Sequence, residues 1–257
     1  MHGAEAARAE AQLMLDDMRV LRAAARDYRT AATAAGLRWP DHSAPSDGPP
    51  PDVVYRLFDV DHVADQLTWL QSQGWDSSPL FPHGGVLLPW PSDATAGASL
   101  TDLAGSVGTP FPWRRQMPLF RFSVVVFTFV LEGDHEGEIW RYEIGPDYWD
   151  TVRAAPSLAG LLTEWTKGLE AGVVFHRQRD DWLVVGDRTG VPPAFKVLRE
   201  RAPDLDPMAF PVTLTLEPLL RRRQLECGVD LDCIERGFDC QEELLAEVDA
   251  VRASLGV

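Results

Sequence analysis

Apolar positions recur with a helical period at both ends of the chain and with a strand period in the middle. Over residues 4–35, rich in Ala, Arg, Glu and Leu, the set Met14, Met18, Leu21, Ala25, Tyr28 and Ala32 falls at alternating spacings of four and three. That is an a/d seam of under three heptads, flanked by Leu13, Leu15 and Val20, and it predicts one long helix. Gly36 is placed to end it as a C-cap. The seam suits a helix lying against its own domain, or one pairing with another chain as a homodimer through residues 4–35.

From Pro40 to Pro51 the sequence PDHSAPSDGPPP has no apolar period and reads as a linker or irregular loop, stiffened at its end by polyproline geometry. Val53 to Phe58 (VVYRLF) predicts a short strand. Asp59 or Asp61 is then placed to cap a helix carrying Val63, Leu67 and Leu70 on one face, closed by Gly74. In residues 75–118 seven prolines and five glycines break up the apolar pieces. Short strands and loops are expected there, with a helical turn near Leu100–Leu103.

The strongest strand pattern is FRFSVVVFTFVL, Phe120 to Leu131. Phe120, Phe122, Val124, Val126, Thr128 and Val130 would share one face. The other begins polar (Arg121, Ser123) and becomes apolar (Val125, Phe127, Phe129, Leu131), as in the middle of a covered sheet. Gly133 and Gly137 bracket a hairpin turn. Glu138 to Ile144 alternates, with Trp140, Tyr142 and Ile144 on one side and Arg141 and Glu143 on the other, predicting a half-exposed partner strand. After Pro156, Leu158, Leu162, Trp165 and Leu169 stripe a helix with Leu161 beside them, and Gly172 ends it. Val173–Phe175 and Trp182–Val185 flank the charged turn RQRDD as a second hairpin. Pro192 and Pro193 open a short helix through Phe195 and Leu198 that stops before Pro203. Val212, Leu214 and Leu216 predict a last strand with one wet face. A helix from about Gln241, striped by Leu244, Val248, Val251 and Leu255, closes the chain. No internal repeat is present. The fold class that follows is α+β, with a mainly antiparallel central sheet and helices packed against it.

Composition narrows the function classes. With 257 residues, 45% hydrophobic residues and nine tryptophans, the chain can bury a substantial core, which excludes disorder throughout. A formal net charge of −15 argues against nucleic acid or an anionic membrane as the main partner. It suits a basic protein partner, or plain solubility. No apolar run approaches the ~18 residues of a membrane span, and the N-terminus lacks the apolar core of a secretory signal. The three cysteines all lie between 227 and 240. An odd count makes no complete disulfide framework, which points to a reducing cytoplasm.

Candidate chemistry is sparse. There is no GxSxG elbow, GxxxxGK[ST] loop, HExxH pair or GxGxxG after a strand, and the six histidines include no helical i,i+4 pair. No catalytic residue, cofactor site or metal site is assigned. An enzyme lacking recognisable motifs would have to draw on His83, His135 or His176 near carboxylates. Cys227, Cys233 and Cys240 do not have the paired spacing of a zinc site. They suit free thiols, with a three-cysteine site or a regulatory disulfide between two of them as alternatives. The turn Glu132-Gly133-Asp134-His135-Glu136-Gly137-Glu138 gathers four carboxylates and a histidine without an EF-hand spacing. It reads as a solvated hairpin tip and a rim for a basic partner. Trp113 beside Arg114 and Arg115 makes either an interaction knob or a lid over the core. Trp140 and Tyr142 are expected to be buried. Tyr148 and Trp149, beside Asp147 and Asp150, are better placed for a partner, where Tyr and Trp are enriched. The candidate contact residues are therefore Glu132, Asp134, Glu136, Asp147, Tyr148, Trp149 and Asp150.

One stretch carries a family likeness. Gly137, Glu138, Ile139 and Trp140 opening a strand, then Ala155, Ser157, Leu158, Leu161, Leu162 and Trp165 in the following helix, resemble the C-terminal half of the SUKH superfamily, the cell-wall-assembly-regulator and killer-toxin-resistance group. The likeness is densest over about residues 120–170 and extends loosely over about 55–175. It implies an α+β binding module with no catalytic residues to carry over. Bacterial members of that group are immunity proteins that neutralise a polymorphic toxin, often a nuclease or deaminase. The resulting expectation is a helical extension (1–39), a Pro-rich linker (40–52) and an α+β domain (53–257) whose part beyond 176 is a C-terminal extension. The expected function is capture of a basic toxin through an acidic surface, which complementary charge would accelerate. An oligomeric scaffold using the N-terminal helix is the alternative.

Overall fold

A computed structural model describes residues 2–40, 48–75, 78–144, 149–214 and 218–257, with side chains from Asp16 onward. Helix α1 (His2–Ala34) ends as its glycine predicts: Leu37 N–H donates to the Ala32 carbonyl at 3.0 Å and Gly36 N–H to Thr33 at 3.0 Å. This doubly bonded close needs the left-handed backbone that Gly36 adopts, at φ 106°. The described part of the seam faces inward. Leu21, Ala25, Tyr28 and Ala32 are buried in the main core, and α1 packs along α5 (Leu158–Glu170). From Leu21 onward this helix shares the main hydrophobic cluster with residues of 53–248.

Residues Val53 to Phe58 do not form a strand. They form helix α2 (Asp52–Phe58), with Val53, Val54, Leu57 and Phe58 buried. Those four positions are spaced one, three and one apart, a helical face, and this burial outweighs the strand preference of two adjacent valines. Pro51 leads in with extended backbone, Asp52 places a carboxylate in the first turn, and Asp59 closes the helix in left-handed conformation (φ 55°). Arg114 Nε then donates to the Leu57 carbonyl at 2.6 Å. Helix α3 (Asp65–Gln71) starts later than Asp59 or Asp61 would place it, and its buried positions include Leu67 and Leu70. Between 75 and 118 the chain makes the short strand β1 (Val86–Leu87), helix α4 (Ala96–Thr101) and a 3₁₀ turn over Asp102–Gly105, so the helical turn falls near Leu100 as expected.

The run from Phe120 to Leu131 is not one strand. It is the end of β2 (Gln116–Phe122), a two-residue turn and the whole of β3 (Val125–Val130), paired antiparallel with Phe122 opposite Val125. Ser123 occupies the turn's first central position at φ 60°, as a II′-type hairpin requires, and Val124 is 49% exposed. The reversal rephases the side chains, so Phe120 and Phe122 share a face with Phe127 rather than with Val126. Strands β4 (Ile139–Glu143) and β5 (Val152–Ala155) complete a five-stranded antiparallel sheet in the order β1-β2-β3-β4-β5.

One sheet face receives α5. Trp165 lies within 5.3–6.2 Å, centroid to centroid, of Phe120, Phe122 and Phe127, and 5.8 Å from Tyr28 of α1. Its Nε1 donates to the Ala209 carbonyl at 2.7 Å, and the Tyr28 hydroxyl donates to the Leu80 carbonyl at 2.7 Å. These large rings thus keep their polar atoms satisfied while buried. The opposite face packs Val130 and Trp140 against Phe111 and Val229.

The second hairpin, β6 (Val174–Arg177) and β7 (Trp182–Val185), forms a separate two-stranded sheet where expected. Helix α6 (Ala194–Arg201) also matches. The segment around Val212 and Leu214 is buried but makes no strand among the described residues, and Leu216 lies outside them. Helices α7 (Pro218–Glu226), α8 (Leu231–Arg236) and α9 (Phe238–Leu255) finish the chain. Leu244 and Val248 of α9 are buried, and α9 packs on α4. The fold is α+β, and one hydrophobic cluster runs from α1 to α9. No helix among the described residues is long and apolar enough to cross a membrane.

Two substitutions separate the hairpin from a continuous strand. Trp165→Ala is expected to cost about 3–5 kcal/mol, and Val124→Ser less than about 0.5 kcal/mol because a turn tip buries little. Denaturant midpoints measure both, and a Val124 cost of several kcal/mol would place that residue in a sheet interior.

Candidate functional site

The β3–β4 connection builds the acidic tip. Gly137 N–H donates to the Val130 carbonyl at 2.9 Å and Val130 N–H to Glu138 at 3.1 Å, closing the neck of the loop. Gly133 and Gly137 both have positive φ (89° and 83°), and open space surrounds each, so backbone conformation alone calls for glycine.

The four carboxylates of this turn divide by role. Glu132 turns inward, accepting from Asp61 N–H at 2.8 Å and lying 3.0 Å from Arg115. Glu138 accepts from Arg153 at 2.7 Å, from Trp140 Nε1 at 2.8 Å, and faces His135 Nδ1 at 3.0 Å. Burial pushes the Glu138 carboxyl up, but these hydrogen bonds and the Arg153 charge outweigh it and hold the group below the usual carboxylate range. Asp134 and Glu136 remain exposed, and exposed His62 has its Nε2 3.3 Å from Glu136. The paired carboxylates thus clamp the loop, and the exposed ones form its outer rim. Trp113 and the two arginines are likewise engaged: Trp113 Nε1 donates to Glu247 at 2.8 Å, Arg114 binds the end of α2, and Arg115 takes Glu132.

The second half of the candidate set is placed differently from expectation. Asp147 and Tyr148 lie outside the described residues. Trp149 is half-buried, edge-on to Phe238 at 5.3 Å, with its carbonyl accepting from Gln224 at 3.0 Å. Asp150 is not a surface group. It is buried, with Oδ2 2.6 Å from Arg141 and Oδ1 accepting from Glu143 N–H at 2.7 Å.

That pair also overturns the half-exposed reading of β4. Trp140 and Tyr142 are buried as expected, but Arg141 is fully buried and Glu143 nearly so. Arg141 Nη1 donates to the carbonyls of Phe210 at 2.7 Å and Val212 at 2.8 Å. The guanidinium therefore supplies the donors that a neighbouring strand would have offered to that segment. Glu143 accepts from the Thr213 hydroxyl at 3.2 Å. Burial and the Asp150 charge push the Glu143 carboxyl above its ordinary value, against the opposing pull of Arg141.

Among the cysteines, Cys233 and Cys240 form a disulfide joining α8 to the first turn of α9, with a Cα–Cα distance of 5.6 Å. Cys227 is a half-buried free thiol whose pKa burial pushes up. The bridge takes two of the three thiols from any shared metal site. The three histidines named for an enzyme sit in different contacts. His135 lies on the acidic tip against Phe111, while His176 pairs with Asp181 at 3.1 Å on the second sheet. His83 is held near pKa 4 by burial and by the Arg177 charge, which leaves it neutral at pH 7.

The tip was legible because carboxylates between two glycines mark a turn. Arg141 was missed because an Arg at an alternating position ordinarily faces water, and its only signal was an apolar surround. Comparison with known proteins found no matching family model, no matching curated protein and no matching solved structure.

Breaking the buried pair is expected to be costly. Arg141→Met should lose about 3–5 kcal/mol by stranding Asp150 and two carbonyls. Glu143→Gln should do the opposite at neutral pH. A carboxyl whose folded pKa is raised must ionise at a penalty in the native state only, so stability is lost as pH rises from the ordinary 4.5 through the folded value. Thermal unfolding should show Glu143→Gln more stable than wild type at pH 7–8, with the gap closing as pH falls toward 4.5. A gap that widens at low pH would contradict the assignment.

Proposed function

We propose that this chain is a non-catalytic protein-binding module of the immunity type, which binds and neutralises a basic toxin through its acidic hairpin rim. The observation that carries this reading is the division of labour in the tip. Glu132 and Glu138 are spent holding the loop against Asp61, Arg115 and Arg153, while Asp134 and Glu136 face outward on a fixed frame. Charges held in place before encounter need little ordering on binding, and an anionic surface speeds approach of a cationic partner. The net charge of −15 extends that field over the molecule. The SUKH likeness of residues 120–170 supports the same class. Asp150 drops out of the contact set, and Trp149 contributes at most its exposed edge.

In this reading capture takes place in the cytoplasm. The Cys233–Cys240 bridge pulls the other way, since reducing compartments open disulfides. The oligomeric-scaffold alternative loses ground because Leu21 to Ala32 of its seam are already covered by the chain's own core.

Asp134→Lys with Glu136→Lys tests the rim, with Glu242→Lys on α9 as the charge control. In co-purification from the native host, wild type should recover a basic protein whose activity it suppresses. The double reversal should slow association about tenfold or more at low salt while leaving the fold intact by circular dichroism. Equal capture by the reversed variant, or no basic partner at all, would defeat the proposal.

A further inference from the structure

A cleft of about 1120 Å³ opens between the end of α1, the second hairpin and the start of α6. Its wall carries Arg38, Arg177 and Arg188, three guanidiniums in a chain of net charge −15. Both carboxylates that line it are already engaged. Asp181 faces His176 Nε2 at 3.1 Å, and Asp187 pairs with Arg201 and accepts from Thr189 N–H at 2.7 Å. Arg177 is paired with Asp180.

Two guanidiniums differ from the rest. Among the described residues no carboxylate pairs with Arg38 or Arg188, although both are exposed on the cleft. Arg188 is held in position, with its Cζ 5.1 Å from the Phe175 ring centroid, a stacking contact that leaves its five donors free. Arg38 follows the rigid close of α1, where Gly36 passes so near the His176 ring that an added Cβ would meet Nδ1 at 3.1 Å. Both side chains therefore start from fixed backbone.

We propose that this cleft binds a ligand carrying linked phosphate groups, with Arg38 and Arg188 as the main anchors and Arg177 adding charge. Guanidinium forks match phosphoryl oxygens in pairs, and two free forks beside a third cation suit a diphosphate more closely than a single carboxylate. The cleft's 1120 Å³ slightly exceeds the roughly 300–1,000 Å³ of small-molecule sites, room enough for a nucleotide-sized ligand. The site is separate from the acidic rim, and its fate does not bear on the reading given for that rim.

Isothermal titration of the full chain at fixed ionic strength, with pyrophosphate, ATP and citrate as probes, tests this. Pyrophosphate and ATP should bind one to one. Arg38→Ala and Arg188→Ala should each weaken both about tenfold or more, the loss of one charge-assisted pair. Arg38→Lys should restore binding only in part, and Arg222→Ala, outside the cleft, should change nothing. Tighter binding of ATP than of pyrophosphate would extend the site to the nucleoside, and equal affinity would confine it to the phosphates; both support it. No binding of either phosphate probe at millimolar concentration, wild-type affinity in both alanine variants, or citrate binding as tightly as pyrophosphate would overturn it.

Discussion

A guanidinium sealed from water sets the terms for much of this structure. Arg141 sits in the middle of β4 with no solvent exposure, and a buried cation is tolerated only when counter-charge and acceptors surround it. Asp150 supplies the charge, and the carbonyls of Phe210 and Val212 supply the acceptors. The same Asp150 takes Glu143 N–H on its other oxygen. One side chain thus ties together the sheet, the approach to β5 and the segment leading to α7. The buried carboxylate and the strand-like 210–214 segment have one cause.

The arrangement of aromatic residues follows from the reversal at Ser123–Val124. Once β2 and β3 are a hairpin, Phe120, Phe122 and Phe127 converge on one side, and Trp165 of α5 fills the space among them. Tyr28 reaches the same cluster from α1. With that face filled by helices and the other by Phe111, Trp140 and Val229, little of the central sheet is left for a partner. The acidic rim lies on a loop of that sheet, and the arginine-lined cleft lies beside the second hairpin.

Much of this architecture follows from local pattern. The long helix with its glycine close, the glycine-bracketed acidic turn, the α5 stripe, the second hairpin, α6 and the final helix each depend on neighbours within a few residues. Periodicity and turn chemistry report those directly. The α+β class follows from the same signals. Three features depended on contacts far along the chain. Val53–Phe58 became a helix because its four apolar side chains meet a core built from distant elements. Phe120–Leu131 became a hairpin although its turn contains neither Gly nor Asn, so only pairing could reveal the break. Arg141, Glu143 and Asp150 went inside because Phe210, Val212 and Thr213 arrive from about seventy residues away to satisfy them. Sequence alone determined which segments bury an apolar face and where the charged turn lies. Tertiary structure decided which polar groups are spent on holding the fold and which are left to meet a partner. A charge on a strand carries no mark of its burial until its acceptors come from elsewhere in the chain.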